Sequence, residues 1–293
     1  ISSAASDVYK RQLFRRTIDT GIQHGTVTIM MDRTGYEVTT YRIDGEYEDG
    51  RHPKQVEFTS DLLEDLRRRD FTINAMAYSH ATGIVDAFDG VADLKARRIR
   101  CVGNAMERFT EDALRILRAI RFSAQLDFEI EKETFEAISV IAPNLAKVSK
   151  ERIQMELTKL LCGENVYRVL MEHAAILNVV LPELIAMEGL DQKTKYHIYD
   201  VYEHTAWVVH YSPATPLARW AALLHDIGKP DTFFTDEEGV GHMYGHPKMS
   251  VEHLHSIAKR LHFSRTFTND LALLVRYHDT RPAPTKKSIR RLY

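Results

Sequence analysis

Two stretches hold residues whose types and spacing could do chemistry. The first is Glu107-Arg108-Phe109-Thr110-Glu111-Asp112-Ala113-Leu114-Arg115-Ile116-Leu117-Arg118-Ala119-Ile120-Arg121. Read at about 100° per residue it is an amphipathic helix. Phe109, Ala113, Ile116, Leu117, Ile120 and Ala124 form an apolar stripe, and Arg108, Glu111, Asp112, Arg115 and Arg118 lie opposite. Thr110 stands where an N-cap is expected, followed by two acids that suit the positive helix end. On a continuous helix Asp112 and Arg115, three apart, are neighbours. Acceptor oxygens beside a fork of donors can complement a nucleobase edge, as a partner base would. The same pair also reads as an ion pair on a solvated face, and the helix alone leaves both readings open.

The second stretch is rich in histidine: ten of the fourteen lie between His197 and His278. His204 is followed by His225-Asp226-Ile227-Gly228-Lys229-Pro230, then Gly245-His246-Pro247, then His278-Asp279. The helix Trp220–Leu224 delivers His225 and Asp226 at its end, where Gly228 stops it. Imidazole nitrogens and carboxylate oxygens suit a divalent transition metal or Mg2+. A lone histidine is more often a satisfied core or surface residue. An adjacent His-Asp pair with partners on both sides is a stronger signal, so His204, His225, Asp226 and His246 are the candidate ligands. His210, His242, His253, His255 and His262 read as bystanders.

The elements that must position the first stretch lie upstream. His24–Met31 reads as a strand, Asp32–Gly35 as a turn with glycine at a hairpin bulge, and Tyr36–Ile43 as a second strand rich in β-branched and aromatic residues. Alternation puts Glu37, Thr39 and Tyr41 on one face. Asp44–Pro53 reads as a loop and Val56–Phe58 as a short strand, with a helix starting at Thr59-Ser60-Asp61. Arg67-Arg68-Arg69-Asp70-Phe71-Thr72-Ile73-Asn74-Ala75 follows, then a strand pair at Met76–Ser79 and Ile84–Ala87, and Asp89-Gly90 opening a short helix. After Gly103 the periodicity is helical throughout, with Thr134–Ile141, Lys150–Leu161 and Val166–His173 amphipathic. Lys95 to Arg121 carries eight Lys/Arg against three Asp/Glu, a stripe suited to phosphate or simply to solvent.

Three motifs in order, the RRDFTINA string at Arg68–Ala75, the DGxxDL segment at Asp89–Leu94 and RFTEDALRILRAIRF at Arg108–Phe122, resemble the class II tRNA nucleotidyltransferases (CCA-adding enzymes) and their bacterial poly(A) polymerase relatives. The His225-Asp226 region resembles an HD domain. The resemblance runs from about Leu13 to the C-terminus. It implies that Asp112 and Arg115 read the incoming base. It also implies that Arg68, Arg69, Asp70 and Asn74 bind the triphosphate and ribose, and that Arg118 belongs to the nucleotide-binding set. Glu37 would be the third carboxylate of the Mg2+ site. The implied partners are the tRNA 3′ end, ATP and CTP. The implied fold is α+β: a remnant of a nucleotidyltransferase-fold α/β head, an all-helical neck and body, and a helical HD domain. Lys150–Leu157 resembles the family's fifth motif, a supporting helix.

The implied organisation is residues 13–103 for the head, 104–187 for the nucleotide-selecting and RNA-binding neck and body, and 188–293 for the HD domain. Residues 1–12 have no counterpart in the family and read as non-native. The family's glycine-rich turn and Asp-x-Asp pair, which should precede Leu13, are not in the sequence. A two-metal reaction needs several carboxylates, so the expectation is an inactive fragment of an active parent, cut at the C-terminus as well. The parent's implied reaction is addition of CMP and AMP to the tRNA 3′ end. The other readings are a poly(A) polymerase, a metal-dependent HD phosphohydrolase, and a tRNA-binding fragment without catalysis.

Bulk properties set the remaining bounds. The 293 residues, 44% hydrophobic, suffice for two or three domains with real cores. A formal net charge of −2 by itself says nothing of a polyanion partner. Cys101 and Cys162 lack ligand spacing and read as buried thiols of a reducing compartment. No apolar run approaches the roughly 20 residues of a membrane span and no secretion signal is evident, so the expected location is cytoplasmic, with no membrane partner. The sequence does not fix an oligomeric state.

Overall fold

The computed structural model describes residues 12–21, 25–45, 56–194 and 198–280. The segment 1–11, most of the loop expected at Asp44–Pro53 and the C-terminal Arg290–Tyr293 lie outside the described residues. The chain divides into two compact units, one of residues 1–115 and 131–138, the other of 116–130 and 139–293. The division falls inside the motif helix, between Arg115 and Ile116.

In the first unit β1 (Thr17–Gly21), β2 (Thr26–Met31) and β3 (Thr34–Thr39) form an antiparallel meander in that order. Val27 and Ile29 of β2 are buried, whereas β3 is mostly exposed. Met31 pairs with Thr34, so the hairpin turn is Asp32-Arg33. Both residues have positive φ (45° and 71°), which is the two-residue turn that follows strand twist. Gly35 is therefore a strand residue opposite Met30, not the expected bulge. The strand expected at Tyr36–Ile43 is also interrupted. Thr40 N donates to Gly25 O, closing the meander, and β4 (Arg42–Asp44) changes partner to β5 (Val56–Phe58).

Asp61 caps α1 (Leu62–Arg67) by accepting from Leu63 N at 2.8 Å. The chain then makes a 3-10 turn at Thr72–Asn74, and β6 (Met76–Ser79) pairs with β7 (Gly83–Asp86). Asp86 ties the start of α2 (Gly90–Lys95) by accepting from Gly90 N and Val91 N. Gly90 is required there, since a Cβ would lie 2.3 Å from Thr72 O. Short strands β8 (Arg98–Ile99) and β9 (Glu129–Ile130) flank α3 (Ala105–Glu111) and α4 (Leu114–Leu126) along the chain. Phe71, Ile99 and Phe109 are fully buried.

The helices that follow are α5 (Lys132–Ile141), α6 (Lys150–Leu161), α7 (Val166–Glu172), α8 (Ala174–Val180), α9 (Val201–Tyr211), α10 (Pro216–Leu224), α11 (Lys229–Thr232), α12 (His246–Arg260) and α13 (Arg265–Tyr277). The strands β10 (Phe234–Thr235) and β11 (Gly241–His242) form a small hairpin. In the second unit Trp220 is fully buried, donates Nε1–H to Thr158 Oγ1 at 2.9 Å and meets Phe263 edge-on. Ser149 precedes α6 in extended conformation but makes no side-chain cap bond. Among the described residues no helix is long and apolar enough to cross a membrane.

Candidate functional site

The motif helix differs from the continuous helix that its periodicity predicts. Asn104, not Thr110, caps it, accepting from Glu107 N at 3.2 Å. Thr110 lies inside α3 and donates to Met106 O. The helix then breaks: Asp112 is extended (φ −146°, ψ 100°), and its carboxylate accepts from Leu114 N at 3.1 Å, at the entry to α4. The side chain of Asp112 thus spends one oxygen on restarting the helix, the usual work of Asp at a helix start. Across this break Arg115 folds back onto α3. It is 8% exposed, and its Nη1 donates to Glu111 Oε2 at 2.7 Å and Arg108 O at 3.0 Å. Its Nη2 donates to Arg68 O at 3.3 Å, which joins the two motifs in one place.

The arginine string is organised by a residue that sequence reasoning missed, Asp65. Its buried carboxylate accepts from Arg68 Nε at 3.0 Å and Nη2 at 2.6 Å, from Arg69 Nη2 at 3.3 Å and from Arg42 N at 3.2 Å. Burial alone would raise this carboxyl, but Arg68, Arg42 and Arg69 outweigh it and hold it below the ordinary range. The available signal was its place three and four residues before two arginines on a helix. Asp70 is buried and accepts from Asn74 Nδ2 at 3.3 Å and from Phe71 N. Arg69 Nη1 donates to Asn74 O at 3.4 Å and Arg115 N to Asp112 O at 3.0 Å, so Arg68, Arg69, Asp70, Asn74, Asp112 and Arg115 are linked directly or through Asp65.

Two predicted residues are not in that linked set. Glu37 is exposed on β3 opposite Thr28. Among the described residues no group of three metal-ligating side chains includes it, so by itself it does not make a Mg2+ site. Arg118 falls in the second unit and lies 3.9 Å from the buried Glu156, which Arg121 meets at 2.7 Å.

The histidine-rich stretch converges on Asp226, which is 2% exposed. His204 Nε2 and His225 Nε2 approach its Oδ2 at 3.5 and 3.0 Å, and His246 Nε2 and His278 Nε2 approach Oδ1 at 3.2 and 3.5 Å. Three of the rings are aimed by the backbone. The Nδ1–H groups of His225, His246 and His278 donate to Ala222 O, Met243 O and Val275 O at 2.7 to 2.9 Å. Each Nε2 then points inward, the orientation in which metal-ligating histidines are held. His204, His225 and Asp226 form one potential ligand triad, and Asp226, His246 and His278 another. His246 Nε2 and His278 Nε2 face each other at 3.2 Å, an arrangement that calls for a proton or cation between them. The donor set fits a divalent metal.

Burial would raise the Asp226 carboxyl, and His225, His246 and His278 outweigh that and hold it far below the ordinary range. The same carboxylate raises His278 against the effect of its burial. His278 joins the four candidates read from sequence, and Lys229 is a further addition. Its buried ammonium bridges Asp226 Oδ2 and Gln192 Oε1, each at 2.7 Å. Among the bystanders, His253 pairs with Asp231 and His262 with Glu151, while His242 lines the cavity above Asp226.

Three families match in succession: the Poly A polymerase head domain over residues 1–100, the probable RNA and SrmB-binding site of polymerase A over 127–187, and the HD domain over 194–291. The CCA-adding enzyme of Leuconostoc mesenteroides is 53% identical over 165 residues, 56% of this chain and 41% of that protein. That of Pediococcus pentosaceus is 43% identical over 221 residues, 73% of this chain and 56% of that protein. The matched stretch thus spans about half the length of these relatives. The structure of the Thermotoga maritima CCA-adding enzyme complexed with tRNA shares the fold, at 22% identity and a TM-score of 0.59. The Bacillus stearothermophilus CCA-adding enzyme in complex with CTP is 32% identical with a TM-score of 0.60, and the match covers 96% of this chain and 69% of that one. With these motifs, this fold and that coverage, the chain belongs to the CCA-adding enzyme family, whose members are metal-dependent nucleotidyltransferases.

Proposed function

We propose that this chain is the nucleotide-selecting part of a tRNA nucleotidyltransferase that adds CMP and AMP, from CTP and ATP, to the tRNA 3′ end. The observation that supports the reading is the hydrogen bond from Arg115 to the Arg68 carbonyl, which brings the Arg115 guanidinium to the arginine string. Arg68 and Arg69 hold the phosphates, since a planar fork donates two bonds to one phosphate. Asp70 and Asn74, already bonded to each other, face the ribose hydroxyls. Asp112 and Arg115 select the base edge, and Arg118 with its basic neighbours serves the nucleotide and the tRNA backbone. Glu37 is the carboxylate the chain would contribute toward Mg2+. The expected location is cytoplasmic.

The test is equilibrium binding of CTP and ATP to the full chain and to Asp112→Ala and Arg115→Ala. Each substitution is expected to shift the CTP-to-ATP affinity ratio about tenfold, the discrimination of one good bidentate contact. An unchanged ratio in both refutes base selection by this pair. Binding of ATP with no binding of CTP would favour A-only addition.

A second reading is carried by the Asp226 cluster: a metal-dependent phosphohydrolase in the same chain. Water attacks phosphorus, the P–O bond to the alcohol breaks, and the alcohol and inorganic phosphate leave. A divalent ion held by His204, His225, Asp226, His246 and His278 would supply Lewis-acid chemistry there. Metal-stimulated phosphate release that disappears in His225→Ala supports it.

A further inference from the structure

Helix α6 meets different neighbours on opposite faces. Glu156 and Thr158 are two residues apart, about 200° around the axis, so their side chains point away from each other. Gln154 lies on the Thr158 side by the same count. Between the two faces runs the buried stripe of Ile153, Leu157, Leu160 and Leu161.

The first face meets α4. The Glu156 side chain is 4% exposed, and Arg121 Nε lies 2.7 Å and Arg118 Nη1 3.9 Å from its carboxylate. Arg121 Nη1 donates to Gln125 Oε1 at 3.2 Å, and Gln125 Nε2 donates to Lys159 O of α6 at 3.3 Å. The Arg121 guanidinium carbon lies 4.0 Å from the centre of the Phe122 ring. Arg121 is thereby enclosed, at 11% exposure, while Arg118 keeps 33%.

The second face meets α10. A hydroxyl offers one donor and two acceptor positions, and Thr158 uses all three. It donates to Gln154 O at 2.7 Å and accepts from Gln154 Nε2 at 3.1 Å and from Trp220 Nε1 at 2.9 Å. Trp220 is fully buried, and Phe263 meets its ring edge-on at 5.0 Å. Trp220 lies within the HD domain and Thr158 upstream of it. A buried ring of the HD bundle thus seats the helix whose far side carries the counter-charge of two arginines. Trp220, Thr158, Glu156, Arg118 and Arg121 all belong to the second unit.

We propose that Trp220 is a positioning residue for Arg118 and Arg121. Through Thr158 it fixes the rotation of α6 about its axis, and α6 presents Glu156 to the two guanidiniums. Long side chains ordered before a ligand arrives lose less freedom on binding it. The HD bundle then contributes to nucleotide binding without touching the nucleotide. The inference rests on the nucleotide-selecting reading for its ligand, and the two are tested by separate measurements.

The first measurement needs no ligand. Exchange of the Arg121 Nε–H with solvent is followed by NMR in the full chain. Trp220→Phe keeps an aromatic ring and removes the donor. Thr158→Val keeps the shape and removes the acceptor, whereas Thr158→Ser keeps the hydroxyl. Exchange is expected to quicken severalfold in Trp220→Phe and Thr158→Val and to stay near wild type in Thr158→Ser.

The second is equilibrium binding of CTP and ATP. Trp220→Phe is expected to weaken both roughly 3- to 10-fold, the cost of ordering one or two long side chains on binding. The CTP-to-ATP ratio stays unchanged, since Asp112 and Arg115 set it. In a Glu156→Gln background the same change is expected to cost less than about twofold, because its route to the arginines is gone. Exchange that is alike in wild type, Trp220→Phe and Thr158→Val overturns the proposal. So does an equal loss of CTP affinity with and without Glu156→Gln, which marks a general loosening of the fold. A wild-type chain that binds neither CTP nor ATP removes the nucleotide-selecting reading, and the exchange comparison then decides the role of Trp220 by itself.

Discussion

Asp65 gives the sharpest test of how the arginine string is held. Asp65→Ala removes the acceptor for two donors of Arg68, one of Arg69 and the backbone N–H of Arg42. The Asp65 and Arg68 side chains are 4% and 19% exposed, whereas Arg69 is 44% exposed, so the Arg69 contact is screened and counts for little. Breaking a buried pair by deleting one partner costs about 3–5 kcal/mol. Arg68 can swing partly into water, which places the expected loss near ~3 kcal/mol. Asp65→Asn keeps an oxygen for Arg42 N and the packing, so about half that loss is expected.

The measurement is denaturant unfolding of the full chain, with the Arg68 Nε–H resonance as a local probe. That resonance should lose its exchange protection in both variants. The pH dependence has a definite sign. The folded carboxyl of Asp65 lies below its unfolded value, so its contribution is complete above the unfolded value of about 3.9. It is lost as pH falls through the lower folded value, and the wild-type and Asp65→Ala stability curves converge there. Phosphate binding feels two opposed effects. Freeing Arg68 costs about 1–2 kcal/mol of side-chain order, and removing a nearby negative charge returns about 1 kcal/mol at solvent-screened distances. CTP affinity should therefore weaken by no more than about fivefold. A stability loss under about 0.5 kcal/mol, the level of an ordinary surface change, would refute the account of Asp65 as the anchor.

Two further predictions bear on the second unit. A Cβ on Gly163 would lie 2.7 Å from Ala124 O, so Gly163→Ala should cost about 1–3 kcal/mol by overpacking, read as a lower unfolding midpoint with an unchanged slope. His173 is buried, and burial first, then Arg168, lowers its value to about 4. The unfolded chain takes up this proton near pH 6.5 and the folded chain only near 4, so stability falls between those values, by ~3 kcal/mol in all; His173→Leu should flatten that part of the stability–pH curve, and an unchanged slope would refute the assignment.

How much of this was legible in the sequence differs from residue to residue, for physical reasons. Helices α6 and α7 emerged almost at their observed bounds because each buries one stripe, and a stripe is periodic in sequence. The break at Asp112 was not legible. The apolar stripe runs on through Phe109, Ala113 and Ile116 as though the helix were continuous, and all three are buried either side of the break. Periodicity reports burial, and burial survived a kink that one capping carboxylate was enough to make. The turn expected at Asp32–Gly35 is present, but its two-residue form at Asp32-Arg33 was not legible, for a related cause. Its residues are unremarkable in type, and only the Met31–Thr34 register forces both into positive φ.

The Asp226 cluster shows the limit from the other side. His225-Asp226 is visible because the pair is contiguous, and His204 and His246 because their order around that pair resembles an HD domain. Lys229 was read as part of a motif and given no role. Its role depends on Gln192, which is 37 residues away and has no feature that marks it. A buried ammonium is costly unless paired; Asp226, three residues before it, is one partner, and the other, Gln192, comes from a distant segment. The same holds for His242, set aside as one histidine among many: its place in the cavity is decided by Asp236 and by the Gly241 contact with Gln192. Residues that bring their own partners within four positions can be found by spacing, whereas residues that borrow partners from distant segments become visible only once the chain has folded.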